Sequence, residues 1–252
     1  MRATGNSFGI IEALFGIVAA FILTMIAVAA YDAAAHRQGQ TGGYAQDVVG
    51  LIALWVGFLG AVVAATRTRV RRGEDEEERP RGTGSIRLDY GLELRAWPDI
   101  PLGIVVGVAS QYLLVPVVEA PLAPFVHHLY HRLSHPAQTL TGHAYGAGLI
   151  LLAVMVCVGS PIVEELFFRG MLLRGLLGRL GDLGPRLAPA VSIVVTALVF
   201  GLVHFEALQF LGLAGFGVVL GYLAWRTARL GPSIVAHVTF NTVTIIAIVL
   251  AR

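Results

Sequence analysis

The chain has 252 residues, 56% hydrophobic and 13% charged, with 18 basic residues against 16 acidic and a formal net charge of +2. Soluble domains carry about 25% charged residues, so this composition excludes a disordered chain, a basic nucleic-acid-binding domain and an ordinary cytosolic enzyme, and makes lipid the solvent. Every basic residue is arginine, and the single Cys157 allows no intramolecular disulfide and no zinc site built on two or four cysteines.

A membrane-spanning helix needs about 20 mostly apolar residues. In chain order, runs at 8–31, 47–66, 98–119, 144–163, 187–206 and 232–250 reach that length, and a glycine-richer run at 208–226 makes a seventh. The first run is too long for a signal-peptide core, has no small-residue cleavage site and carries Glu12, so it reads as a retained helix. Between the second and third runs, residues 67–97 hold an arginine cluster, then Glu74 to Glu78 as an acidic block, then Arg79-Pro80-Arg81-Gly82. Mixed charge without apolar periodicity predicts a flexible cytoplasmic linker whose basic start can meet anionic headgroups. The linker divides the chain into 1–97, with two helices and the linker itself, and 98–252, with the remaining spans.

The stretch 164–180 is apolar at first and then carries Arg169, Arg174 and Arg179. With the N-terminus inside and seven alternating spans, fifteen of the 18 arginines fall on the inner side, as the positive-inside rule asks. An eighth span over 164–180 would move Arg174, Arg179 and Arg186 outward. The expected fold class is therefore an all-α polytopic membrane helix bundle with seven transmembrane helices, 164–180 continuing the fourth; eight helices are the alternative. The chain is expected to be an integral protein of the plasma membrane with its N-terminus cytoplasmic, with the lipid bilayer as one partner and no nucleic acid as another.

Ionisable side chains within hydrocarbon are costly and mark candidate sites. Glu12 and Glu119 lie near span ends and read as boundary residues, and Asp47 opens its helix where a carboxylate meets the helix dipole. A second group differs in kind. Glu164 and Glu165 follow Pro161, Arg169 lies four residues after Glu165, His204 closes the run from Phe200, and His237 and Asn241 lie four apart. Four-residue spacing puts each pair on one helical face, so three helices turn polar faces into hydrocarbon, and those faces must meet each other or water. Glu165 and Arg169 can pair as ions, while Glu164 points about 100° away and is free to act as a general base. His204 can share a water with it, and His237 and Asn241 present donors suited to an oxyanion. The pattern is that of acyl hydrolysis with water as nucleophile. Cys157 reads as inert packing.

Rise arithmetic puts His204 near the far end of its span and His237 near the start of its own, a mismatch of about 15 Å. Tilt, shorter spans or a helix broken near Gly212, Gly215 and Gly217 has to remove it. A separate cluster, His127, His128, His131, His135 and His143, crowds one loop, with His127, His131 and His135 on one helical face until Pro136 and no carboxylate between 120 and 143. It reads as an interfacial segment, with a Zn²⁺ or Cu²⁺ site as the weaker alternative. Glu206 reads as a boundary residue.

The run Pro161-Ile162-Val163-Glu164-Glu165-Leu166-Phe167-Phe168-Arg169-Gly170 resembles the E-E-x-x-x-R signature of the CPBP family, the CAAX prenyl endopeptidases and bacteriocin-processing or bacteriocin-immunity membrane proteins. Phe200 to His204 resembles its F-x-x-x-H motif, and His237 to Asn241 its H-x-x-x-N motif. The resemblance covers about 144–250 and implies a glutamate-type intramembrane endopeptidase acting on a membrane-associated peptide or protein. Glu164 and His204 would activate water, His237 and Asn241 would hold the oxyanion, and Glu165 and Arg169 would support the site. No cofactor is expected; in a metalloenzyme, Glu164, His204 and His237 would bind zinc. A catalytically silent scaffold, a bacteriocin-immunity-type protein and a proton-coupled transporter are the alternatives.

Overall fold

A computed structural model of the protein describes residues 10–35, 43–67, 69–70, 79–80 and 83–251. Its helices, in chain order, are α1 (Ile10–Ala34), α2 (Tyr44–Arg67), α3 (Ile86–Tyr90), α4 (Ala96–Leu122), α5 (Leu129–Gly142), α6 (Gly146–Arg179), α7 (Gly181–Leu202), α8 (Phe210–Thr227) and α9 (Gly231–Leu250). All but α3 and α5 are long and apolar enough to cross a membrane, seven helices in all among the described residues. The protein is an all-α integral membrane protein. A two-residue antiparallel pairing of Arg69–Val70 with Arg79–Pro80 is the one departure from helix among the described elements. The acidic block of the linker, Arg2 and Arg37 lie outside the described residues.

Stretch 164–180 continues the fourth spanning helix instead of forming an eighth. At 34 residues, α6 runs to about 50 Å, well beyond the ~30 Å of hydrocarbon. Its last turns therefore have the length to carry arginine beyond the hydrocarbon. Arg174 there donates to the carbonyls of Ala228 (2.8 Å) and Asp89 (3.4 Å).

The middle of α6 is not a regular α-helix: it widens at Met155–Gly159 and again at Glu165–Leu172, and Pro161 explains the first. A proline lacks an N–H, and its ring clashes with the carbonyl four residues back. Ahead of Pro161, residues Met155–Gly159 widen into a π-type turn in which the Ser160 N–H bonds Met155 O, five residues back. The same device precedes Pro116 in α4, where Ser110–Leu114 widen and the Val115 N–H bonds Ser110 O. Each widened turn holds the carbonyl that the proline would otherwise strike.

One hydrophobic core joins α1, α2, α6 and α7. The Phe58 ring lies 4.4 Å from that of Phe167 and 5.8 Å from that of Phe168, and Phe168 meets Phe200 of α7 edge-on at 5.3 Å. Tyr90 caps this core from α3; it is fully buried and donates to Val62 O at 3.1 Å. Outward faces stay apolar and exposed, as at Phe15, Met25, Val56 and Ile246, which suits contact with lipid.

Polar bonds at one end of the bundle set where α9 begins. Asp99 is fully buried and takes a two-pronged bond from Arg229, to Oδ1 from one guanidinium nitrogen (2.6 Å) and to Oδ2 from Nε (3.1 Å). Its Oδ2 also accepts the Arg95 backbone N–H at 2.8 Å. Beside it, Leu230 N–H bonds Gly91 O (2.8 Å) and Gly231 N–H bonds Glu93 O (3.0 Å). Bonding to Asp99 pushes the Arg229 guanidinium further above its ordinary value. Replacing Asp99 by Ala strands Arg229 and the Arg95 amide together. It is expected to cost about 3 kcal/mol, read as a lower thermal midpoint in detergent, with Asp99→Asn falling between Ala and wild type.

Candidate active site

The site is built on the irregular turns of α6. In a regular helix Val156 O would accept the Ser160 N–H, but that group has moved to Met155 O. The next candidate, residue 161, is proline and has no N–H. Val156 O is thus stripped of helical partners in a segment surrounded by hydrocarbon. Asn241 of α9 supplies the missing donor, its Nδ2 lying 2.9 Å from Val156 O. On the neighbouring turn, Trp55 of α2 donates from Nε1 to Ser160 Oγ at 3.2 Å.

Beyond Pro161 the two glutamates diverge. Glu165 is fully buried and bonds Arg169, also fully buried, at 2.7 Å. Arg169 further donates to Gly217 O of α8 at 3.3 Å and lies 4.3 Å over the Phe200 ring of α7. Gly217 also lets α8 pack closely on α7, since a Cβ there would press on the Ala197 backbone. Glu165 Oε1 also lies 3.1 Å from His237 Nδ1. A carboxylate held by a guanidinium only accepts, so Nδ1 carries the hydrogen. Nε2 of the same ring faces Glu164 Oε2 at 3.8 Å. His237 is buried between edge-on contacts with Phe200 (5.7 Å) and Phe216 (5.5 Å). Glu164 Oε2 is buried and has no hydrogen-bond partner.

His204 follows α7 in a turn that ends at Phe205, whose φ of 54° is left-handed. Its Nδ1 lies 2.7 Å from Phe200 O. A carbonyl only accepts, so Nδ1 carries the hydrogen and Nε2 keeps its lone pair. The depth mismatch expected from rise arithmetic is absent. The Phe200 ring touches both imidazoles, which holds their centroids within about 10 Å of each other. Breaking α8 is not the means: it is continuous from Phe210 to Thr227 through Gly212, Gly215 and Gly217.

Glu164, His204, His237 and Asn241 line one cavity of about 440 Å³, together with Ser160, Phe168 and Phe216. Among the described residues no group of three His, Cys, Asp or Glu side chains is placed to hold a metal ion. Glu164, His204 and His237 share the cavity without forming a ligand set. A buried unpartnered carboxylate oxygen, a neutral imidazole with a free lone pair and an imidazole oriented by a second carboxylate can together bind a water, take its proton and offer N–H groups to a developing anion.

Other expectations need correction. His127 is outside α5, which begins at Leu129 after a left-handed His128, and α5 passes through Pro136 to Gly142, so the three-histidine face is not one helix. His131, His135 and His143 line an outer cavity of about 650 Å³ with Asp47 and Glu206, carboxylates that the local sequence does not supply. Asp47 and Glu206 therefore face a cavity, and Glu206 also lines the Glu164 cavity. Glu119 lies near the end of its span, as expected, and is in addition buried against Gly212 of α8. Phe216, Trp55 and the Val156 carbonyl escaped sequence reasoning. Phe216 and Trp55 carry no motif, and the need for a donor at Val156 O was latent in Pro161 alone.

Removing Asn241 leaves Val156 O unsatisfied, which is expected to cost about 1–3 kcal/mol. Replacing Pro161 by Ala returns an N–H to that turn, so Asn241→Ala should cost measurably less in the Pro161→Ala background. Thermal midpoints of the four proteins in a double-mutant cycle check the coupling.

Residues 146–243 match the family model described as type II CAAX prenyl endopeptidase Rce1-like. No curated protein and no solved structure matches the chain. The matched stretch contains Glu164, Glu165, Arg169, His204, His237 and Asn241 in their motif order. Over this stretch, well under half of the chain, the protein is similar to the CAAX-type intramembrane proteases that this family model describes.

Proposed function

We propose that the protein is an endopeptidase that hydrolyses a peptide bond of a membrane-associated peptide or protein, with Glu164 as general base. The observation that carries this reading is the convergence of Glu164, His204, His237 and Asn241 on one cavity among spanning helices, with Glu164 Oε2 buried and without a hydrogen-bond partner. A water held between Glu164 and His204 Nε2 attacks the substrate carbonyl as Glu164 takes one of its protons. The carbonyl oxygen becomes an oxyanion and accepts from the second Nδ2 hydrogen of Asn241, whose first is bound to Val156 O, and from Nε2–H of His237 in its imidazolium form, in which Nδ1–H stays on Glu165. The C–N bond then breaks, and Glu164 returns the proton to the leaving amine. Glu165 and Arg169 position His237. This mechanism needs no metal ion. Arginine distribution supports a cytoplasmic N-terminus.

The test is comparative N-terminal peptide mapping. Cell membranes are incubated with purified wild type or Glu164→Gln, each with and without chelator. New N-termini are expected with wild type in both conditions, and Glu164→Gln is expected to lower turnover by about 10²–10⁴. Chelator-sensitive cleavage would assign a metal, with Glu164, His204 and His237 as ligands. Identical peptides from both folded proteins would sink the peptidase reading in favour of a scaffold or immunity role, and pH-driven uptake in vesicles would indicate a transporter.

A further inference from the structure

A second cavity adjoins the catalytic one and has no part in the chemistry above. It measures about 290 Å³ and is lined by Gln111 and Glu119 of α4, Ser134 of α5, Gln209 before α8 and Thr244 of α9. Ser134, Gln209, Phe240 and Thr244 line both cavities, so the two are neighbours across one shared wall. Binding pockets for whole ligands begin at about 300 Å³, so this one suits a single long side chain.

Glu119 is 4% exposed. Among the described residues no hydrogen bond or ion pair engages its carboxylate, and no arginine lines its cavity. The other polar groups are already committed: Thr244 Oγ1 donates to Gln111 Oε1 at 3.2 Å, and Gln209 Nε2 to Leu133 O at 2.6 Å. Gly212 of α8 makes the room, since a Cβ there would collide with Glu119 Oε1. A carboxylate kept within a spanning helix without a partner is costly. A cation from outside the chain offsets that cost. The walls are apolar at Val115 and Ile248, which suits the methylene stem of a long basic side chain.

We infer that the Glu119 cavity is a subsite for a lysine or arginine side chain of the peptide substrate. The inference rests on the peptidase reading. Thr244 lies seven residues along α9 from His237, about 10 Å of helix rise. An extended peptide advances ~3.3 Å per residue, so the basic residue sits two or three positions from the scissile bond.

The test is equilibrium binding, which needs no cleavage. Two probes, N-octanoyl-leucyl-lysine amide and its norleucine counterpart, are titrated in detergent into the Glu164→Gln protein and into the Glu164→Gln/Glu119→Gln protein. The lysine probe is expected to bind the first at least about tenfold more tightly than the norleucine probe, and that ratio should fall to about one in the second. Equal binding of both probes, binding of neither, or a ratio that survives Glu119→Gln would overturn the inference. A melting curve for each protein shows that the fold is kept. Failure of the peptide mapping above, with the lysine preference intact, would instead sink the peptidase reading and leave a cation site.

Discussion

An ion pair with no exposed surface, Glu165 with Arg169, holds the site together. Its partners reach three further helices: Gly217 O on α8, the Phe200 ring on α7 and His237 on α9. In hydrocarbon each of these groups would otherwise be an unpaid polar or cationic liability. Each member of the pair needs its partner. An arginine left without Glu165 would be an uncompensated buried charge, and a Glu165 left without arginine would lose the reason to stay ionised and accept from His237. The orientation of His237, with Nδ1 on Glu165 and Nε2 toward Glu164, follows from that electrostatic requirement and from the two phenylalanine rings on either side.

Backbone satisfaction supplies the second constraint. Water cannot repair a broken helical hydrogen bond inside a bilayer, so the carbonyl freed by Pro161 and the widened turn before it must find a donor in the protein. Asn241 is that donor. The residue facing the Glu164 cavity thus also joins α9 to α6, four residues from His237 on the same face. Site geometry and bundle stability share one side chain here, and Trp55 bonding Ser160 ties α2 into the same turn.

The cavities lie side by side in a series. An outer chamber with His131, His135, His143, Asp47 and Glu206 shares Pro136, Leu140 and Glu206 with the Glu164 cavity. The latter in turn shares Ser134, Gln209 and Thr244 with the Glu119 cavity. Helix α5 borders all three, through His135 and Pro136 on the outer side and Ser134 on the inner. Its mixed apolar and polar sequence therefore serves a position between chambers as well as the membrane interface.

The sequence by itself determined the number of spans and the motif faces. Hydrocarbon thickness demands runs of fixed length, arginine placement decides between seven helices and eight, and i, i+4 spacing puts Glu165 with Arg169 and His237 with Asn241. Only the tertiary structure decided what those faces meet. That Asn241 answers a carbonyl orphaned by Pro161, that Phe200 lies between His204 and His237, and that Asp47 and Glu206 join the histidines of α5 all depend on residues dozens to more than a hundred positions apart. So does the burial of Glu119 against Gly212. Local spacing carries no signal for such contacts, because they are set by how closely whole helices pack, and that packing is fixed by small residues and ring contacts distributed over every element.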